Sequence, residues 1–131
     1  MFKDGFTLLE LSIVVVIIGI LAALGIVNYQ GIKEDTLDKE ARSSLRLISA
    51  AERIYFLENQ AYLTPLNGNS AINDGLRLAL PTGNLSNWGY TVFSWATSGF
   101  CAEAGRMPTS SRFWSIINGS EGPEKIECVA R

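Results

Sequence analysis

Apolar positions crowd the start of this chain and then thin into a periodic pattern. From Phe6 to Val27 the sequence FTLLELSIVVVIIGILAALGIV holds one ionisable side chain, Glu10. A helix of these 22 residues would be about 33 Å long, enough to cross a bilayer hydrocarbon core of roughly 30 Å. After Asn28 the sequence turns charged. Leu37, Ala41, Leu45, Ile48, Ala51 and Tyr55 recur at steps of three and four, which marks one apolar helix face. No breaker intervenes before Asn59, and Pro65 follows shortly after. The two stretches are therefore expected to form one helix of about 54 residues, about 80 Å long. Its first half, 6–27, is apolar on all sides, and its second half, 28–60, has a single stripe against which a small domain can pack.

Residues 64–89 are rich in Gly, Asn, Pro and Ser and read as a connecting loop, with one short helix near Asn73–Leu80. From Trp88 onward YTVFSW, SGFCAEA and RFWSIING alternate and are separated by glycine-containing turns, which predicts three or four antiparallel strands within 88–131. A sheet of that size needs cover on one face, and the helix stripe supplies it. The fold class is α+β. Asn84 and Asn118 each open an Asn-x-Ser triplet and read as turns. Gly19, Gly25 and Gly31 are weak points in the helix, or places where another helix packs closely.

Composition divides the 131 residues into an apolar segment and a head of ordinary polarity, one domain with a modest core. Eleven Lys and Arg against thirteen Asp and Glu leave a net charge of -2, with no basic patch of the kind that binds nucleic acid. There is no histidine, which removes the commonest general base and metal ligand. No nucleophile elbow, phosphate loop or metal-ligand cluster appears, so no catalytic residue, metal or cofactor is assigned. Cys101 and Cys128 cannot complete a usual zinc site and point to a disulfide enclosing 28 residues. The head aromatics read as core, and Glu34 with Asp38, and Glu40 and Arg42 with their neighbours, as a solvated face with no chemistry.

The apolar run is about twice as long as a secretory signal core, and no small-x-small cleavage site follows it. A removable signal peptide is thus disfavoured. An ordinary membrane anchor does not account for Glu10, since a carboxylate in a membrane segment costs about 2.5 to 3.5 kcal/mol at the bilayer centre and is usually functional.

The opening MFKDGFTLLE, and within it Gly5, Phe6, Thr7, Leu8, Leu9 and Glu10, resembles the processing site of type IV prepilins and pseudopilins. The resemblance covers Met1 to about Gln30. Asp4 lowers the positive charge of the leader, and Val27 stands where many members carry proline, which leaves open whether the helix is kinked or melted there. The resemblance implies a leader, 1–5, removed by a prepilin peptidase between Gly5 and Phe6, N-methylation of Phe6, and a role for Glu10 in assembly. It also implies a helix 6–27 that lies first in membrane lipid and then in a filament core, and a head, 28–131, built from a helix wrapped by a small antiparallel sheet. The expected function is a structural subunit of a type IV pilus-like filament, a homo-oligomer raised from an inner-membrane assembly platform. The amino terminus would be cytoplasmic before assembly, and the filament periplasmic or at the cell surface afterwards. The alternatives are a pseudopilin of a type II secretion system, a competence pilin, and a membrane-anchored periplasmic enzyme. The carboxyl-terminal disulfide leans toward a pilin.

Overall fold

Two compact units, Met1–Thr36 and Leu37–Arg131, divide the chain in a computed structural model that describes residues 5–26, 29–95, 99–108 and 111–128. The first contains α1 (Leu8–Ile26) and the start of α2 (Tyr29–Asn59). Continuity of the helix through Val27, the question of a kink there, and the leader up to Asp4 lie outside the described residues.

Every described side chain of α1 is exposed, including Leu9, Ile13, Ile17 and Leu24. Nothing among the described residues covers these side chains. The 19-residue helix is about 28 Å long, shorter than the expected 6–27 segment. Among the described residues no single helix is long and apolar enough to cross a membrane, and only the broken pair Leu8–Leu24 and Tyr29–Asn59 meets that requirement together.

In the second unit α2 buries Leu37, Ala41, Leu45 and Ile48 along the expected stripe, with Ser49 and Glu52 beside them. They pack against a four-stranded antiparallel sheet of β1 (Leu66–Asn67), β2 (Trp88–Trp95), β3 (Gly99–Arg106) and β4 (Phe113–Ile117), in spatial order β1-β2-β3-β4. Period-two alternation sorts the side chains. Trp88, Tyr90 and Val92 on β2 and Phe100, Ala102 and Ala104 on β3 face the helix and form the core. The small alanines let α2 approach. Gly89, Thr91 and Phe93, paired with Gly105, Glu103 and Cys101, line the opposite face.

One indole ties helix to sheet: Trp88 Nε1 donates to the carbonyl of Leu37 at 2.9 Å, and Arg112 meets Asp38 at 3.3 Å nearby. The far end of α2 is held differently. Gln60 takes a left-handed φ of 55°, and the returning chain stacks Tyr62 on Phe56 at 4.6 Å and against Phe100 at 5.1 Å.

The connecting segment is more ordered than its composition suggests. It supplies β1, and its helix α3 spans Asn69–Leu76 rather than 73–80. Pro81 disfavours a helical Leu80, and the Asn73 side chain instead bonds both Leu80 N–H, at 2.7 Å, and Leu80 C=O, at 2.9 Å. Arg77 ends α3 in the left-handed conformation with φ 54°. Asn69 closes the edge of β2: its amide donates to Pro81 O, Ser86 Oγ and Trp88 O, and its Oδ1 accepts from Tyr90 N at 2.9 Å. The bonds to Trp88 O and Tyr90 N stand in for the strand pairing that β1 is too short to provide.

The strands of 88–131 end at Ile117, and only the remaining carboxyl-terminal segment departs from the expected sheet. A turn at Asn118–Gly119, with Gly119 at φ 88°, leads to a two-way backbone bridge between Ser115 and Glu124. The tail then reaches over the outer sheet face, where Cys128 N donates to Glu103 Oε2 at 3.3 Å and Cys128 is joined to Cys101.

Candidate functional site

Chemistry expected at the amino terminus depends on how α1 begins. Thr7 sits just before the first helical residue, and its hydroxyl accepts from Glu10 N–H at 3.2 Å. The Glu10 carboxylate returns the contact, with Oε2 accepting from Thr7 N–H at 3.0 Å and from Thr7 Oγ1 at 2.9 Å. This reciprocal arrangement is a capping box, which satisfies two of the backbone donors a helix start leaves orphaned. Leu8 is therefore the first residue that must be helical, and the Gly5–Phe6 peptide bond lies outside the helix. Phe6 is 79% exposed, and nothing stands within 4 Å of a Cβ built on Gly5.

Thr7 was read from the sequence only as part of the processing motif, and its capping role was not. Its signal was present, because Thr-x-x-Glu ahead of an apolar run is the capping-box pattern. Glu10 thus has a local structural task at the helix start, and its bonds to Thr7 use Oε2 alone on a side chain that is exposed.

A second carboxylate, Glu52, which the sequence analysis did not single out, is buried. Glu52 is fully enclosed among the core side chains of α2, and its Oε2 accepts from Leu63 N–H at 2.9 Å while Oε1 has no partner among the described residues. Burial pushes its pKa up to about 7, and the Leu63 hydrogen bond opposes that shift. Glu52 lies on the apolar stripe at the step after Ile48, so the position was legible although the polarity argued against it. It pins the return loop to the helix. No group of three or more His, Cys, Asp or Glu suited to a metal ion occurs among the described residues.

Cys101 and Cys128 come together with their Cα atoms 5.9 Å apart. The aromatics divide: Trp88, Tyr90 and Phe100 are buried in the core, whereas Phe93, Trp95, Phe113 and Trp114 are half-buried around the sheet. Glu10 and the cysteines belong to different compact units and make separate sites.

The comparisons with known proteins fall on both units. The family model described as the prokaryotic N-terminal methylation motif matches residues 2–26. The type II secretion system core protein G of Pseudomonas aeruginosa is 30% identical over 121 residues, covering 92% of this chain and 78% of that protein. The protein of the same name in Escherichia coli is 36% identical over 88 residues, covering 67% of this chain and 61% of the relative. The type IV major pilin protein PilA of Myxococcus xanthus is 43% identical over 58 residues, covering 44% of this chain and 26% of the pilin. No solved structure matches. With a processing motif at its start, an uncovered apolar helix behind it and a relative similar along nearly its whole length, this chain belongs to the family of type IV pilins and their secretion-system pseudopilin relatives.

Proposed function

We propose that the chain is a filament subunit of the pseudopilin kind, cut between Gly5 and Phe6, methylated at Phe6, and drawn from the inner membrane into a filament that works in protein secretion. The observation that carries this reading is the similarity over 92% of the chain to a secretion core protein G, together with the methylation motif at residues 2–26. No catalysis is required of it. Lipid covers the apolar surface of α1 in the precursor, and neighbouring α1 helices cover it in the filament, so the bilayer serves as a reservoir of subunits. The leader would stay cytoplasmic and the head periplasmic.

Cleavage creates a cationic amine at Phe6 where the precursor had a neutral amide. The Glu10 carboxylate would pair with such an amine, its own or that of a neighbour at an axial stagger. An unpaired charge in an apolar filament core costs several kcal/mol, so pairing would select register as well as stabilise it. The head's buried carboxylate and disulfide have structural tasks in this scheme.

The test is to express the chain with a prepilin peptidase, sequence the mature terminus and look for filaments by electron microscopy. Mature Phe6 and filaments that fail with Glu10→Ala are expected. An uncut Met1 terminus, or wild-type filament formation by Glu10→Ala, overturns the scheme. A surface pilus is the second reading, favoured by the 43% identity to a major pilin across 58 residues. Deleting the gene and scoring secreted protein against surface filaments separates the two.

A further inference from the structure

The outer face of the sheet carries a groove of about 1020 Å³, within the size range of ligand sites. Gly89 and Gly105, paired across β2 and β3, leave its floor without side chains. Phe93, Met107 and Phe113 supply apolar walls, and Glu103 and Glu127 supply charge, with no lysine or arginine among the described lining residues. It is an acidic, partly apolar slot.

The free face of α2 has the opposite character. Lys39, Arg42, Arg46 and Arg53 are all exposed and fall within roughly 60° of one another around the helix. Beside them run Leu47, Ile54 and Leu57, which are 48%, 59% and 75% exposed. The stripe lies away from the side that packs on the sheet, and Leu47, Ile54 and Leu57 stay exposed along it. One cation is anchored, since Arg42 lies over the Trp114 ring at 5.0 Å. The tail turn at Gly122, flanked by Glu121 and Glu124, comes near Arg46 and tempers its charge. Arg53 lies about 10 Å further along the helix axis.

The basic, apolar face and the acidic, apolar groove lie on opposite sides of the sheet, so they cannot meet within one chain. They can meet between two. We infer that the free face of α2, from Arg42 to Leu57, docks into the outer-sheet groove between Glu103 and Glu127 of a second copy. The occupant is a second copy because charge and apolar character match on both surfaces. Such a contact is heterologous: each subunit offers a face to one neighbour and a groove to another, and repetition generates an open helical array. The inference rests on the filament reading and adds a head-to-head contact to it. Electrostatic matching of this kind sets partner register more than raw affinity.

The test uses the full chain in membranes, expressed with its peptidase, with the photoreactive residue benzoylphenylalanine in place of Leu57. Illumination should join two copies, and the cross-linked peptide should carry groove residues such as Asn84, Gly105 or Glu127. Arg46→Glu with Arg53→Glu should reduce the adduct about tenfold, equivalent to about 1.4 kcal/mol. Glu127→Lys alone should do the same, and combining the three reversals should restore most of it. All three residues are exposed, and unchanged thermal melts establish that each variant folds. Adducts between two α2 helices, adducts only to another protein, or yields indifferent to charge reversal overturn the docking. Cross-linked copies without filaments would sink the filament reading and leave the contact standing. Filaments whose adducts map elsewhere would do the reverse.

Discussion

Replacing Glu52 with glutamine keeps the shape of a buried side chain and removes its charge. Burial lifts the carboxyl pKa from 4.5 to about 7, about 2.5 units, and each unit is worth about 1.4 kcal/mol. The folded state therefore binds this proton more tightly than the unfolded state. Its contribution is fully present below pH 4.5 and is lost as pH rises through about 7, for a total near 3 kcal/mol. Glutamine can still accept the Leu63 N–H with its carbonyl. Its amide then sits where Oε1 has no partner, at a cost of about 1 to 3 kcal/mol that does not vary with pH. The informative quantity is thus the stability difference between Glu52→Gln and wild type as a function of pH, in which other titrating groups cancel. That difference should move in favour of the variant by about 2 to 3 kcal/mol between pH 4.5 and pH 8. Urea denaturation of the oxidised chain in detergent micelles measures it. The fluorescence reports on the head, because all three tryptophans, Trp88, Trp95 and Trp114, lie there and none in α1. A difference that stays flat within about 0.5 kcal/mol would show that Glu52 does not titrate in this window, and the argument from burial would fall.

Three further outcomes follow from the geometry. Asn69→Ala removes the side-chain bonds to Trp88 C=O and Tyr90 N–H at the β2 edge and leaves Tyr90 N–H without its acceptor, so a loss of about 2 to 4 kcal/mol is expected in the same urea titration. Reducing the Cys101–Cys128 bond, or changing both residues to serine, should cost about 3 to 4 kcal/mol for a loop of this length, and equal stability with and without reductant would count against it. Glu10→Gln keeps an acceptor for Thr7 but loses the charge. Processing at Gly5 should then proceed while filament yield falls, whereas Thr7→Val should weaken the helix start by about 1 kcal/mol and slow assembly less than Glu10→Gln does; electron microscopy and terminal sequencing of both variants decide this.

What the order of residues determined by itself is the set of patterns that act locally. An unbroken apolar run, a stripe at helical spacing and alternating strands each follow from the chemistry of near neighbours, and so α1, the buried face of α2 and β2 to β4 were legible. The methylation motif at residues 2–26 was legible for the same reason, since it is a contiguous segment. The connecting segment was not, because its order comes from distant bonds: Asn69 is 19 residues from Trp88, and Asn73 reaches 7 residues on to hold both polar groups of Leu80. The burial of Glu52 was not legible because its polarity argues for solvent, and only the fold brings Leu63 N–H to it at 2.9 Å. The acidic groove is likewise a product of tertiary structure. Glycines on two strands, a turn and a stapled tail far apart in sequence make it together, while the apolar anchor that awaits lipid or a neighbour needed no folding to be seen.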